Sequence, residues 1–175
     1  MHGAEVMRIQ LTSALSFALL AGCAGLPVPI PAPSGGSGAG AGSGSSSVAT
    51  DIVRYTNEAR VRNGLPALSP NSRLMEAARL HAEQMASYQR LDHTISGARY
   101  PTMLSRIEAV GYNYANAAEN IAWNRQSAQS AVTTWMNSSG HRANILNPEL
   151  TEIGAAMVRS SKGEPYWIQV FGRPR

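Results

Sequence analysis

From Thr50 onward, apolar residues recur at three- and four-residue intervals in short segments, each closed by polar residues or glycine. Ile52, Val53, Thr56 and Ala59 form the first stripe, which predicts a helix capped by Thr50 and ending near Asn63-Gly64. Leu74, Ala77, Ala78, His81 and Met85 predict a second helix from Asn71 or Ser72. His81 therefore sits on an apolar stripe, where core packing is the favoured reading over a ligand role. A third helix is expected from Pro101 to about Val110, with proline in its first turn and Gly111 as its stop. A fourth runs from Ser127 to Met136, burying Ala128, Ala131, Val132 and Trp135, and Ser138-Ser139-Gly140 separates it from a short turn at His141 to Leu146. Two β-prone runs, Ile153 to Val158 and Tyr166 to Phe171, flank Ser160-Ser161-Lys162-Gly163 and read as a hairpin; Glu119 to Trp123 is the candidate third strand. The fold class is α+β, a three-layer α-β-α sandwich in which helices cover a small antiparallel sheet. Most aromatic area, that of Trp123, Trp135, Tyr166 and Trp167, is assigned to packing, while Tyr112 and Tyr114 suit a cleft rim or an ordinary loop.

The N-terminal pattern is different. Arg8 precedes an uncharged stretch from Leu11 to Leu20 that is shorter than the ~18 residues a membrane-spanning helix needs, so it reads as an export signal. Met7 is an alternative start to Met1. Leu20-Ala21-Gly22-Cys23 resembles the lipobox of bacterial lipoproteins, which implies a signal peptide over 1–22, cleavage before Cys23 and a lipidated cysteine partnering the membrane. Ala24 resembles the outer-membrane sorting class in a Gram-negative host. Residues 23–47 then comprise the lipidated cysteine and a linker, proline-rich at Pro27 to Pro33 and glycine-rich at Gly35 to Gly40, leaving 48–175 as one domain.

Composition narrows the chemistry. Cys23 is the single cysteine, which removes disulfides, cysteine-ligated zinc and thiol nucleophiles from the domain. Fifteen basic and eleven acidic residues give +4, but the arginines are scattered, so a nucleic-acid partner is not expected. What stands out is titratable side chains in short polar breaks: His93 in Asp92-His93-Thr94, Glu119 in Glu119-Asn120-Ile121-Ala122, and His141 in Ser139-Gly140-His141-Arg142-Ala143-Asn144-Ile145-Leu146. Two imidazoles and a carboxylate on one pocket could hold a divalent metal such as zinc, orient a water, or grip a polar ligand. Alternatively, Glu119 could serve the fold by accepting backbone hydrogen bonds near Gly140.

These motifs, with Asn57-Glu58-Ala59-Arg60, Leu65-Pro66, Trp135 to Leu146, Thr151-Glu152-Ile153-Gly154 and Tyr166 to Gly172, resemble the bacterial branch of the CAP superfamily, also called the SCP domain. The resemblance covers nearly all of Val48 to Gly172 and implies an α-β-α sandwich with a cleft of two histidines and two acids. His93, Glu119 and His141 fall on three of these positions. The second acid, three residues after the tryptophan of the fourth helix, is replaced by Ser138, and Glu152 is a candidate substitute. The resemblance supports extracellular binding of a lipid, sterol-like or cell-wall ligand or of a protein, and by their own chemistry His93 and His141 could hold a metal. The alternative is a zinc-dependent hydrolase using His93, His141 and Glu119. Serine hydrolysis is disfavoured because no nucleophile elbow surrounds Ser139, and the zinc-hydrolase reading lacks a His-Glu-x-x-His motif.

Overall fold

Helix α1 (Ser43–Arg62) begins the part of the chain that the computed structural model describes, residues 43–175, all within one unit spanning Ala41–Arg175. The signal, Cys23 and most of the linker lie outside the described residues. The remaining elements are β1 (Ser69–Pro70), α2 (Ser72–Tyr88), α3 (Met103–Ala109), β2 (Tyr114–Trp123), α4 (Ala128–Met136), α5 (Ser139–Ile145), β3 (Glu152–Arg159) and β4 (Pro165–Pro174). The architecture is α+β, as expected. The sheet order is β1-β3-β4-β2, with β3/β4 and β2/β4 antiparallel and the two-residue β1 parallel to β3.

Alternation along the strands sends side chains to two separate cores. On one face Ile153, Ala155, Trp167, Phe171 and Ala122 meet Ile52, Val53 and Ala59 of α1, Trp135 of α4 and Ile145 of α5. On the other, Ile121, Ala156, Ile168 and Val170 meet Leu74, Ala78 and Met85 of α2 and Ile107 of α3. The helices that approach closest explain two residues. The backbone of α2 at Leu74 and Met75 lies against Gly154, where a Cβ would collide with main-chain atoms. Arg60 is fully buried and donates to the carbonyls of Pro66 (2.9 Å), Ile145 (2.7 Å), Asn147 (3.0 Å) and Leu150 (3.3 Å), tying α1 to the end of α5.

Four expectations are corrected. Helix α1 starts at Ser43, inside the stretch assigned to the linker, and Thr50 is interior; Val48 packs on the core and holds the extra turn. Pro101 precedes α3 rather than opening it: Thr102 is the N-cap, in a capping box with Ser105. Strand β2 runs back to Tyr114, its pairing with β4 continuing to Tyr114–Pro174 past a register shift between Tyr114 and Asn116. Strand β1 has no counterpart in the apolar pattern; two residues ending in proline carry no period-2 signal, and Ser69 is placed by its amide donating to Thr151 O at 2.9 Å. Helix α2 starts at Ser72, within the expected bounds, and is capped by Asn71, whose Oδ1 accepts from the amides of Arg73 (2.9 Å) and Leu74 (3.2 Å). Trp135, Tyr166 and Trp167 are buried, whereas Trp123, at the end of an edge strand, is 39% exposed.

Because the clash at Gly154 involves helix backbone, Gly154→Ala should cost about 3 kcal/mol of stability, the upper end for overpacking. Urea unfolding measures it. A loss under about 1 kcal/mol would show that α2 slides aside and does not seat on the sheet in one position.

Candidate functional site

Strand β2 is the outer strand of the sheet, and its consecutive residues Glu119 and Asn120 point to opposite faces. Glu119 faces α2 and α3 and is 7% exposed overall. Arg106 of α3, 1% exposed, donates Nη2 to Oε2 at 3.0 Å and to Oε1 at 3.3 Å. His93, in the loop between α2 and α3, places Nδ1 at 2.8 Å from Oε1. His81 Nε2 stands 3.6 Å from the same oxygen, with no hydrogen-bond partner of its own, while its Nδ1 faces Gln84 Oε1 at 3.3 Å.

The His93 loop is pinned from several directions. Asp92 Oδ1 accepts from the Thr94 amide at 3.0 Å, Ile95 is buried, and Arg106 Nη2 also donates to His93 O at 3.1 Å. The same guanidinium donates Nη1 to Pro101 O at 3.0 Å. One arginine thus holds both the carboxylate and the loop that carries the histidine.

His141 arrives from the other layer, on α5, around the free edge of β2. Asn120, fully buried, donates to His141 O at 3.1 Å and to Gln169 Oε1 at 3.1 Å, and accepts from Asn144 Nδ2 at 2.9 Å. Asn144 also donates to Glu119 O at 3.3 Å, and Gln169 donates to Thr56. This polar chain fixes α5 against the strand. Among the described residues neither ring nitrogen of His141, both buried, has a hydrogen-bond partner, and His93 is near enough that its charge would disfavour protonation of His141.

The electrostatics follow from burial. Desolvation works against ionising Glu119, but the His93 hydrogen bond and the facing His81, Arg106 and His93 hold its carboxyl below the usual range. Burial pushes His81 and His141 below the ordinary histidine value, toward neutral rings.

The structure therefore brings His93, Glu119 and His141 to one edge. Glu152 lies apart from them, across the sheet: it accepts from Tyr112 Oη at 2.6 Å and Asn71 Nδ2 at 3.2 Å and shares no partner with the other three. Tyr112 is buried over Gly172 rather than lining a rim. Burial and the Glu152 carboxylate push its phenol pKa up. Ser138 is the N-cap residue of α5, without a side-chain capping bond, and Ser139 is exposed. Glu119 accepts from side chains, not from backbone near Gly140. Sequence reasoning missed Arg106, His81 as a neighbour of Glu119, and the Asn120 and Asn144 pair.

The donor set falls short of a catalytic zinc site. Among the described residues no three His, Cys, Asp or Glu side chains are grouped to hold a metal. Both Glu119 oxygens are engaged by Arg106, which leaves two imidazoles, one short of the three protein ligands of a catalytic zinc site. A surface pocket of about 250 Å³ between Asn124 and the Arg159–Pro165 turn lies away from these residues. Its arginines already donate to their own loops, Arg125 to Trp123 O and Arg159 to Gly163 O.

The depressed histidines give stability a pH dependence. A group whose pKa is lower folded than unfolded stabilises fully above its unfolded value and loses that contribution as pH falls. His81 and His141 should thus weaken the fold below 6.5, and Glu119 adds a further loss below 4.5. The urea midpoint should fall between about pH 7.5 and 5.5, and His81→Gln should flatten that fall. An unchanged slope in the variant would remove His81 as a cause.

YkwD of Bacillus subtilis, an uncharacterized protein, is 35% identical over 120 residues, 69% of this chain and 45% of that protein. YlbC, an uncharacterized membrane protein of the same bacterium, is 33% identical over 120 residues, 69% and 33% of the respective chains. The chain spans less than half the length of either relative. Among solved structures, an extracellular protein containing an SCP domain from Bacillus anthracis superposes with a TM-score of 0.65 at 26% identity, covering 74% of this chain and 41% of that one. An outer surface protein of Borrelia burgdorferi also gives 0.65, at 20% identity, covering 72% and 92%, and this likeness is of fold alone. The cysteine-rich secretory protein family matches residues 53–171, the span that contains nearly all of both cores, the Arg106–Glu119 pair and His141, and the chain belongs to that CAP family.

Proposed function

We propose that the chain is an exported binding module of the cell envelope whose cleft holds a small ligand between His93 and His141. The observation that supports this most directly is the His141 ring, whose nitrogens are both buried and unpartnered. Leaving a buried donor or acceptor unmade costs about 1–3 kcal/mol each, so a ring held in this state by Asn120 and α5 suits an incoming partner better than it suits the fold. His93 lies nearby, and with Nδ1 bound to Glu119 its other ring nitrogen, Nε2, is the atom a ligand would meet. A hydrolase reading draws less support, since Glu119 is committed to Arg106 and is not free to act as a base.

Envelope anchoring through lipidated Cys23 draws on the lipobox-like sequence, and in a Gram-negative host the outer membrane is part of the same proposal. The extracellular Bacillus anthracis relative and the membrane protein YlbC are consistent with it. Among the described residues no helix is long and apolar enough to cross a membrane.

Replacing Cys23 with alanine should move the protein from the membrane fraction to the soluble fraction, read by fractionation and immunoblot; a protein that stays with the membrane would refute the anchor. For the cleft, His93→Ala and His141→Ala should each abolish binding of solubilised envelope extract while the circular dichroism spectrum is retained. Undiminished binding by both would place the ligand elsewhere.

A further inference from the structure

The Glu119 carboxylate is the negative charge that could draw a cation into the cleft, and it is already balanced. Arg106 touches both of its oxygens, at 3.0 and 3.3 Å, and is itself 1% exposed. A guanidinium does not lose its proton inside a protein, so this positive charge is permanent. A divalent ion at the histidines would face it across a poorly screened interior, without a free carboxylate in return.

The hydrogen-bonding capacity of the rings selects further. An ionised carboxylate only accepts, so His93 Nδ1, 2.8 Å from Oε1, must carry the proton, and in the neutral ring Nε2 is left as an acceptor. The neutral His141 ring presents one donor and one acceptor, both unmet. Together the rings offer two acceptors and one donor. A metal ion would use only the acceptors. A carboxylate or phosphate without a proton would meet the lone pair of His93. A hydroxyl group satisfies both rings, donating to one nitrogen and accepting from the other.

We infer that Arg106 makes the cleft refuse divalent cations, and that the His93–His141 pair takes the hydroxyl group of an uncharged ligand. This rests on the reading of the cleft as a ligand site. The hydroxyl could belong to a glycan or to a lipid, and the chemistry at the rings is the same for both.

The test is a nitrogen NMR titration of the full-length chain labelled at histidine, at about pH 7.5, where ordinary imidazoles are mostly neutral. Four probes are used: zinc chloride, sodium acetate, a soluble N-acetylglucosamine oligomer, and vesicles containing diacylglycerol. The expected result is a shift of the His93 and His141 ring signals with the oligomer or with the vesicles, lost in His141→Ala, and no specific response to zinc or acetate. Which hydroxyl probe responds identifies the source. Stoichiometric zinc binding lost in His93→Ala, or acetate binding at the rings, would overturn the inference and leave a ligand cleft standing. Silence toward all four probes would overturn the inference and the cleft reading together. Arg106→Gln, where it folds, should gain at least tenfold in zinc affinity by freeing the carboxylate; a folded variant without that gain would show that Arg106 is not what excludes the ion. The titration of the native chain decides the matter even where this variant does not fold.

Discussion

The contact between Arg106 and Glu119 is the constraint around which the site is built. Both groups are removed from water, which carries a desolvation cost of several kcal/mol per ion, and the pair is tolerable only because its hydrogen bonds are nearly complete. Removing one partner of such a pair costs about 3–5 kcal/mol, because the other is left buried and uncompensated. The geometry spreads that dependence. Arg106 also grips His93 O and Pro101 O, so the loop that carries His93, the start of α3 and the middle of β2 are held by one side chain. The His93 tautomer is a consequence of the same pair, since an ionised Glu119 demands a proton from Nδ1.

The other half of the site depends on the strand's alternation. Glu119 and Asn120 are neighbours in sequence, yet one belongs to the α2/α3 layer and the other to the layer of α1, α4 and α5. Asn120 commits its amide to His141 O and Gln169 and its carbonyl to Asn144, and so joins α5 to the sheet through polar contacts where a hydrophobic contact would not fix the helix register. The outer edge of β2 is where elements from opposite layers reach one another, and it is there that His93 and His141 approach Glu119. A one-residue slip of β2 against β4 would exchange Glu119 and Asn120 between the layers and dismantle both halves at once.

Much of this is legible in the amino-acid sequence. The apolar stripes of α1, α2 and α4 and the hairpin of β3 and β4 have the periods that burial on one face requires, and the polar breaks at His93, Glu119 and His141 mark residues that the fold gathers. What stays hidden are contacts that leave no period. Arg106 sits on a seven-residue helix, where an arginine ordinarily reads as solvated; only the partner thirteen positions on explains its burial. His81 is legible as a core residue, but not as a neighbour of Glu119, since a stripe shows which face is buried and not what lies opposite. The start of α1 is hidden by its composition: serine and glycine before Thr50 resemble linker, and the helix is continued by the packing of Val48 rather than by propensity.

The charge count of the cleft joins two departures from the family pattern. That pattern implies a second acid where Ser138 stands, and by sequence Glu152 is the candidate to replace it. Glu152 is instead engaged with Tyr112 and Asn71, joining the cap of α2 to the aromatic ring that presses on Gly172. The two carboxylates therefore have different tasks: Glu119 is neutralised by a cation, and Glu152 is solvated by neutral donors. With serine at 138, the one acid left among the family's site positions meets one fixed arginine, beside the rings of His93 and His141. The missing acid is thus part of the same balance that Arg106 sets, since a second acid beside these histidines would restore the negative field that the buried arginine cancels.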